Sequence, residues 1–147
     1  MFQGSSSHSC DPKGRLIVPS RFREVMVNNG GDKLVITKGN AACLMAFSTD
    51  EWTKFELLVN GLRTPNSGKL KRRFIGNAQE CPCDKQGRIL IPKDLRDYAK
   101  IDKDLRLFGL IDRFEIWSSE NWAKEDQDTN EGLISGAFNE ELAVLGL

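Results

Sequence analysis

Two aspartate–arginine pairs are the residues of this chain best placed to do chemistry: Asp11 with Arg15, and Asp84 with Arg88. In each D-x-x-G-R stretch the aspartate heads a tight turn, where its carboxylate can bond nearby backbone N–H groups. Gly14 and Gly87 tolerate the positive φ of such a turn. The arginine opens the next segment with a planar fork that grips phosphate, or guanine O6 and N7, through paired hydrogen bonds. Lys13 and Lys85 add charge on the same turns, and Arg21, Arg23 and Arg96 lie just beyond. The chemistry on offer is recognition of a polyanion. A D-x-x-x-R pair also has a plain structural use, as an ion pair that braces its own turn. The reading adopted is mixed, with aspartate and glycine shaping the turn and arginine facing outward. Arg15 leads, because Lys13, Arg15, Arg21 and Arg23 form the denser basic set, whereas Asp94 and Asp97 dilute the second. No phosphate-cradling glycine loop with lysine and no nucleophile triad is present, and His8 is the only histidine, so no enzyme is expected.

The elements that must hold these turns occur twice. DPKGRLIVPSRFR (residues 11–23) and DKQGRILIPKDLR (residues 84–96) align at a constant offset of 73, matching Asp11 to Asp84, Arg15 to Arg88, Pro19 to Pro92 and Arg23 to Arg96. After each turn comes a short apolar run, RLIVP or RILIP, that suits a buried strand. The proline stops that strand and suits the first turn of a short helix. Gly30-Gly31 ends the first helix, and the runs LVITKG and LRLFGL, then CLMAFS and RFEIWS, supply further strands. Asp50 and Ser118-Ser119 are candidate N-caps for helices bearing Trp52 and Trp122. The organisation expected is a first repeat over 5–60, a linker with a basic helix over 61–77, a second repeat over 78–124, and an acidic, partly helical tail over 125–147. One such unit would leave strand edges unpaired. Two can interleave their hairpins about a pseudo-twofold axis into one barrel, mostly β with short helices and α+β in class.

Composition permits this. Formal net charge is zero, but residues 1–111 hold 19 Lys+Arg and 12 Asp+Glu, whereas residues 112–147 hold 2 and 9. Screening confines the acidic end to about 8–10 Å in physiological salt, so a basic body can still meet phosphate. No apolar run approaches the roughly 18–20 residues of a membrane span. The N-terminus lacks a secretory layout, so a cytoplasmic protein is expected. A zinc held by His8, Cys10, Cys81 and Cys83 would need the two halves face to face. Buried thiols, with no metal and no cofactor, are the expectation. The basic stretch Lys69, Lys71, Arg72, Arg73 reads equally as a solvated helix face or as a supporting phosphate contact. Trp52, Trp117 and Trp122 read as core or subunit interface, and His8 as a polar residue on a first strand. In the tail, Leu133, Phe138, Leu142 and Leu145 form a rough helical stripe suited to a weak subunit contact.

The duplicated D-x-x-G-R-x-x-x-P-x-x-[FL]-R signature resembles the MraZ family of the AbrB/MazE-like superfamily, and MFQGSSSHSCDPKGRLIVPSRFRE looks like that family's N-terminus. The likeness runs from Met1 to about Trp122. Two departures are Cys10, where an apolar residue is usual, and Cys81-Pro82-Cys83, where acidic or apolar residues are common. The resemblance implies a double-split, swapped-hairpin barrel assembled into a homo-oligomeric ring. It further implies a nucleoid-associated transcription regulator that binds direct repeats in promoter DNA, often of its own cell-division and cell-wall gene cluster. An alternative within the superfamily is a MazE-like antitoxin whose acidic tail wraps a toxin protein; the duplication speaks against it.

Overall fold

In the computed structural model, which describes residues 1–147, each repeat runs strand-strand-helix-strand-strand-helix and is followed by one more helix. The first comprises β1 (Phe2–Ser9), β2 (Arg15–Ile17), α1 (Ser20–Asn28), β3 (Lys33–Lys38), β4 (Leu44–Ser48) and α2 (Thr49–Gly61), then α3 (Ser67–Phe74). The second comprises β5 (Gln79–Pro82), β6 (Arg88–Leu90), α4 (Lys93–Tyr98), β7 (Asp104–Ile111), β8 (Phe114–Ser118) and α5 (Ser119–Ser135), then α6 (Asn139–Val144). The class is α+β, with all strand pairs antiparallel.

Strand order in the large sheet is β1-β7-β8-β4-β3-β5, and β2 pairs with β6 in a separate ribbon. The order is symmetric about the β8–β4 boundary, which places β1 opposite β5 and β7 opposite β3. Each repeat therefore lends its first strand to the other: β1 pairs with β7 from Phe2↔Ile111 to Ser9↔Asp104, and β5 pairs with β3 from Lys33↔Pro82 to Ile36↔Gln79. The ribbon obeys the same symmetry, with Leu16↔Ile89 at its centre and Arg15↔Leu90 and Ile17↔Arg88 on either side. It is extended at both ends, since Val18 N–H donates to Gly87 O and Ile91 N–H donates to Gly14 O, each at 2.9 Å. Hydrogen bonding breaks where β1 leads to β2 and where β5 leads to β6, so the strands form a double-split arrangement of two interleaved repeats.

The physical cause of this exchange is burial. Leu16, Val18, Ile89 and Ile91 turn inward onto Leu34, Ile36, Leu105 and Leu107, and all eight are essentially inaccessible. Each repeat supplies only half of each wall of that core, so neither can exclude water alone. On the opposite face of the sheet, Phe47, Trp52, Phe55 and Phe74 pack edge-to-face or stacked, and Trp122 packs on Trp117 and Phe108. All three tryptophans thus sit in packed surroundings. Pro19 and Pro92 stand one residue before α1 and α4, at the N-cap, with extended backbone. Ser118 caps α5 by accepting from Asn121 N–H at 3.0 Å. At α2 the cap is Ser48 and not Asp50, which lies inside the first turn and adds a favourable charge there. Helices α2 and α5 reach 13 and 17 residues, longer than the short elements expected. Trp52 and Phe55 pack α2 on Phe47 of the sheet, whereas only the start of α5 is so held, through Trp122, and its later turns are exposed.

Candidate nucleic-acid interface

The two turns are near-copies of one another. Asp11 Oδ1 accepts from Lys13 N–H at 3.0 Å and Arg15 N–H at 2.9 Å, while Oδ2 accepts from Arg15 Nε at 2.5 Å. Asp84 Oδ1 likewise accepts from Gln86 and Arg88 N–H, both at 2.9 Å, and Oδ2 accepts from Arg88 Nε at 2.9 Å. Gly14 and Gly87 close the turns at φ +90° and +80°. The carboxylate thus organises backbone with one oxygen and arginine with the other. Because only Nε is engaged, Nη1 and Nη2 of Arg15 and of Arg88 make no hydrogen bond within the chain. An arginine with its inner edge fixed and its outer edge free is pre-organised to grip an anion.

The β2–β6 ribbon brings the two copies together. Its inward residues Leu16 and Ile89 anchor it on the core, so alternation puts Arg15, Ile17, Arg88 and Leu90 on the outward face. Arg15 and Arg88 are diagonal neighbours there, roughly 7–8 Å apart as such pairs are. Ile17 and Leu90 beside them are 59% and 53% exposed, an unusual price for large aliphatics on a surface. Lys13 and Lys85 are exposed on the turns at the two ends. Arg23 and Arg96, half-buried, also serve the turns. The Arg96 side chain covers Gly14, the Arg23 side chain covers Gly87, and a Cβ on either glycine would overlap the guanidinium. Each repeat thus clamps the other's turn. Arg96 Nε also donates to Ile91 O at 2.9 Å. Arg21 lies on the α1 side, where Nη2 donates to Ser6 Oγ at 3.1 Å and the guanidinium stacks on Phe22.

These contacts perturb titration. Backbone N–H donation from Arg15, then its guanidinium, holds the Asp11 carboxyl below the usual aspartate range; Arg88 does the same for Asp84. A carboxyl depressed in the folded chain adds stability above the unfolded pKa of about 3.9 and loses it as pH falls through the folded value. Desolvation first, and Arg21 second, hold the His8 ring below its ordinary value, so its cost on acidification falls at higher pH. Denaturation midpoints measured against pH should therefore drop below about pH 4 in the native chain. With Asp11→Asn and Asp84→Asn combined, that lower limb should flatten while the histidine step remains. An unchanged lower limb would mean that the turns carry no such linkage.

The remaining candidates divide. Arg73 points inward, donating to Gly39 O and to the Tyr98 hydroxyl, and so ties α3 to the β3–β4 loop and α4. Lys69, Lys71 and Arg72 stay exposed. Sequence reasoning missed this division because the partners of Arg73 are 25 and 34 residues away along the chain. Cys10, Cys43 and Cys81 are buried and Cys83 is half-buried, all as free thiols. Burial pushes the Cys81 thiol up to about 12 and raises the others too. They remain protonated and poorly nucleophilic. No group of three or more His, Cys, Asp or Glu is placed to hold a metal, so the zinc arrangement of His8, Cys10, Cys81 and Cys83 is not assembled. No helix is long and apolar enough to cross a membrane.

Comparison with known proteins agrees with the geometry. A family model described as "MraZ protein, putative antitoxin-like" matches residues 1–72 and 74–138. A protein of Desulforapulum autotrophicum named "Transcriptional regulator MraZ" is 44% identical over 147 residues, covering all of both chains. Proteins of the same name from Desulfitobacterium hafniense and Acetivibrio thermocellus are 42% and 40% identical, again over the full length of both partners. The duplicated turns, the exchanged strands and this end-to-end similarity establish that the chain belongs to the MraZ family.

Proposed function

We propose that this chain is a sequence-specific DNA-binding regulator of transcription. It would act on short direct repeats in promoter DNA, including the promoter of its own cell-division and cell-wall gene cluster, as a ring-shaped homo-oligomer on the cytoplasmic nucleoid. The observation that carries the reading is the outward face of the β2–β6 ribbon, where two aspartate-held arginines lie side by side with their outer nitrogens free. A major groove about 12 Å wide admits a two-stranded ribbon, and arginine is its commonest reader of guanine. In this reading Arg15 and Arg88 meet base edges, Ile17 and Leu90 contact thymine methyls or exclude water, and Lys13 and Lys85 meet flanking phosphates. Arg21, Arg23 and Arg96 add phosphate contacts from the helices while the last two brace the turns. A ring repeats this face, so several weak contacts matched to repeated sites give tight binding. The names of the relatives support regulation over toxin binding, and a duplicated repeat already supplies the strand exchange for which a single-copy antitoxin needs a second chain.

The test is binding of the purified protein to its own upstream DNA and to a shuffled duplex across a salt series. Preference for the native repeats by about 10³-fold or more, with affinity falling steeply in salt, is the expected result. Equal affinity for both duplexes at every salt concentration would sink the regulator reading.

A further inference from the structure

The chain leaves two apolar surfaces uncovered, and they carry opposite charge. On the first repeat, Leu57 and Leu58 of α2 are 66% and 75% exposed. Beside them a groove of about 260 Å³ opens between α2 and α3, lined by Leu57, Ile75, Lys71, Asn60 and Glu56. Residues 54–73 hold six bases and a single acid, Glu56. Of these bases Arg73 is turned inward, Lys54 bonds Glu51 and Arg63 donates to Asn60 O and Leu62 O, which leaves Lys69, Lys71 and Arg72 as the free charge beside the groove. On the tail, Ile134, Val144 and Leu147 are 87%, 88% and 84% exposed, and residues 125–147 hold six acids and no base. The tail is a formed element. Helix α5 ends on Gly136 in the left-handed conformation, and α6 folds back so that Phe138 lies directly over Gly132.

We infer that the α5–α6 hairpin of one copy docks in the α2–α3 groove of a second copy. Each surface is too apolar to favour water, and each supplies the charge the other lacks. Their exposure shows that a chain does not cover its own groove with its own tail. Because the two patches differ, the contact is head-to-tail; such contacts repeat from copy to copy until the assembly closes on itself. The inference rests on the assembly reading above and names the contact that would build it. It makes no use of the ribbon face, which stays available to DNA.

Sedimentation of the full chain tests this with two paired charge reversals, Lys71→Glu with Arg72→Glu, and Glu140→Lys with Glu141→Lys. The native chain should sediment as an assembly. Either pair should weaken self-association by about tenfold or more, since like charges then face each other. All four substitutions together should restore it, which a merely misfolded variant would not do. If both pairs assemble like the native chain, the docking is overturned while assembly stands. A native chain that sediments as a monomer overturns both, leaving promoter binding to be judged on its own duplex measurement.

Discussion

Replacing Arg15 and Arg88 together with alanine is expected to weaken promoter binding by about 30- to 1,000-fold. Each arginine that grips a base edge contributes about 1–3 kcal/mol. The two are diagonal neighbours on one ribbon face, so their losses will not add in full; about 2–4 kcal/mol is the reasonable sum. Stability should hardly change. Both pairs are partly exposed, with roughly a third of each arginine side chain accessible, and such pairs are worth about 1 kcal/mol or less. The backbone bonds from Lys13 and Arg15 to Asp11, and from Gln86 and Arg88 to Asp84, survive truncation of the side chains. Binding titrations on native and base-substituted repeats, run beside urea melts, separate the outcomes. Lost affinity with unchanged melting supports the ribbon as reader. Full affinity in the double variant would reduce the two pairs to turn braces and move the DNA surface elsewhere.

Truncation of Phe22 to alanine should be the most damaging single change to the fold, at about 3–5 kcal/mol. Phe22 is 1% exposed, with ring centroids 5.3 Å from Phe2 and 4.9 Å from Phe114, which themselves meet at 5.2 Å. This trio ties the first strand and first helix to the last strand, β8. Its loss combines a cavity with broken aromatic contacts worth about 0.5–1.5 kcal/mol per pair. Domains commonly hold only 5–15 kcal/mol in total, so thermal unfolding should fall by roughly 6–20 °C. Leu95→Ala, at the equivalent place in the second repeat, should cost about 2–5 kcal/mol. A Phe22→Ala melting curve within a degree or two of the native one would show that the cluster is not the keystone described.

What was legible in the sequence was whatever is local. The D-x-x-G-R spacing encodes a turn by contacts within four residues, and the runs at Leu34-Val35-Ile36 and Phe114–Trp117 encode strands by their own composition. The offset of 73 also implied a pseudo-twofold, which is why the class and the interleaving could be anticipated. Distant partners were not legible. Nothing near Arg23 or Arg96 in the chain says that each covers the other repeat's glycine, and nothing near Arg73 names Gly39 or Tyr98. Those roles are set by tertiary approach, to which local periodicity is blind. The Asp50 expectation failed more simply: Ser48 sits two residues earlier, at the last extended position of β4, and so captures the cap.

The strand exchange also has a consequence for synthesis. β1 leaves the ribosome long before its partner β7, which ends at Ile111. At about 5–20 residues per second, β1 must wait roughly 5–20 s for that partner to be made. An idle strand is an invitation to aggregate with other nascent chains. Five of the eight residues of β1, Ser5–Ser9, are serines or histidine, and Phe2 is its only large apolar side chain. The unusual polarity of this strand keeps the waiting segment hydrated, so its distant pairing is reached before a wrong one.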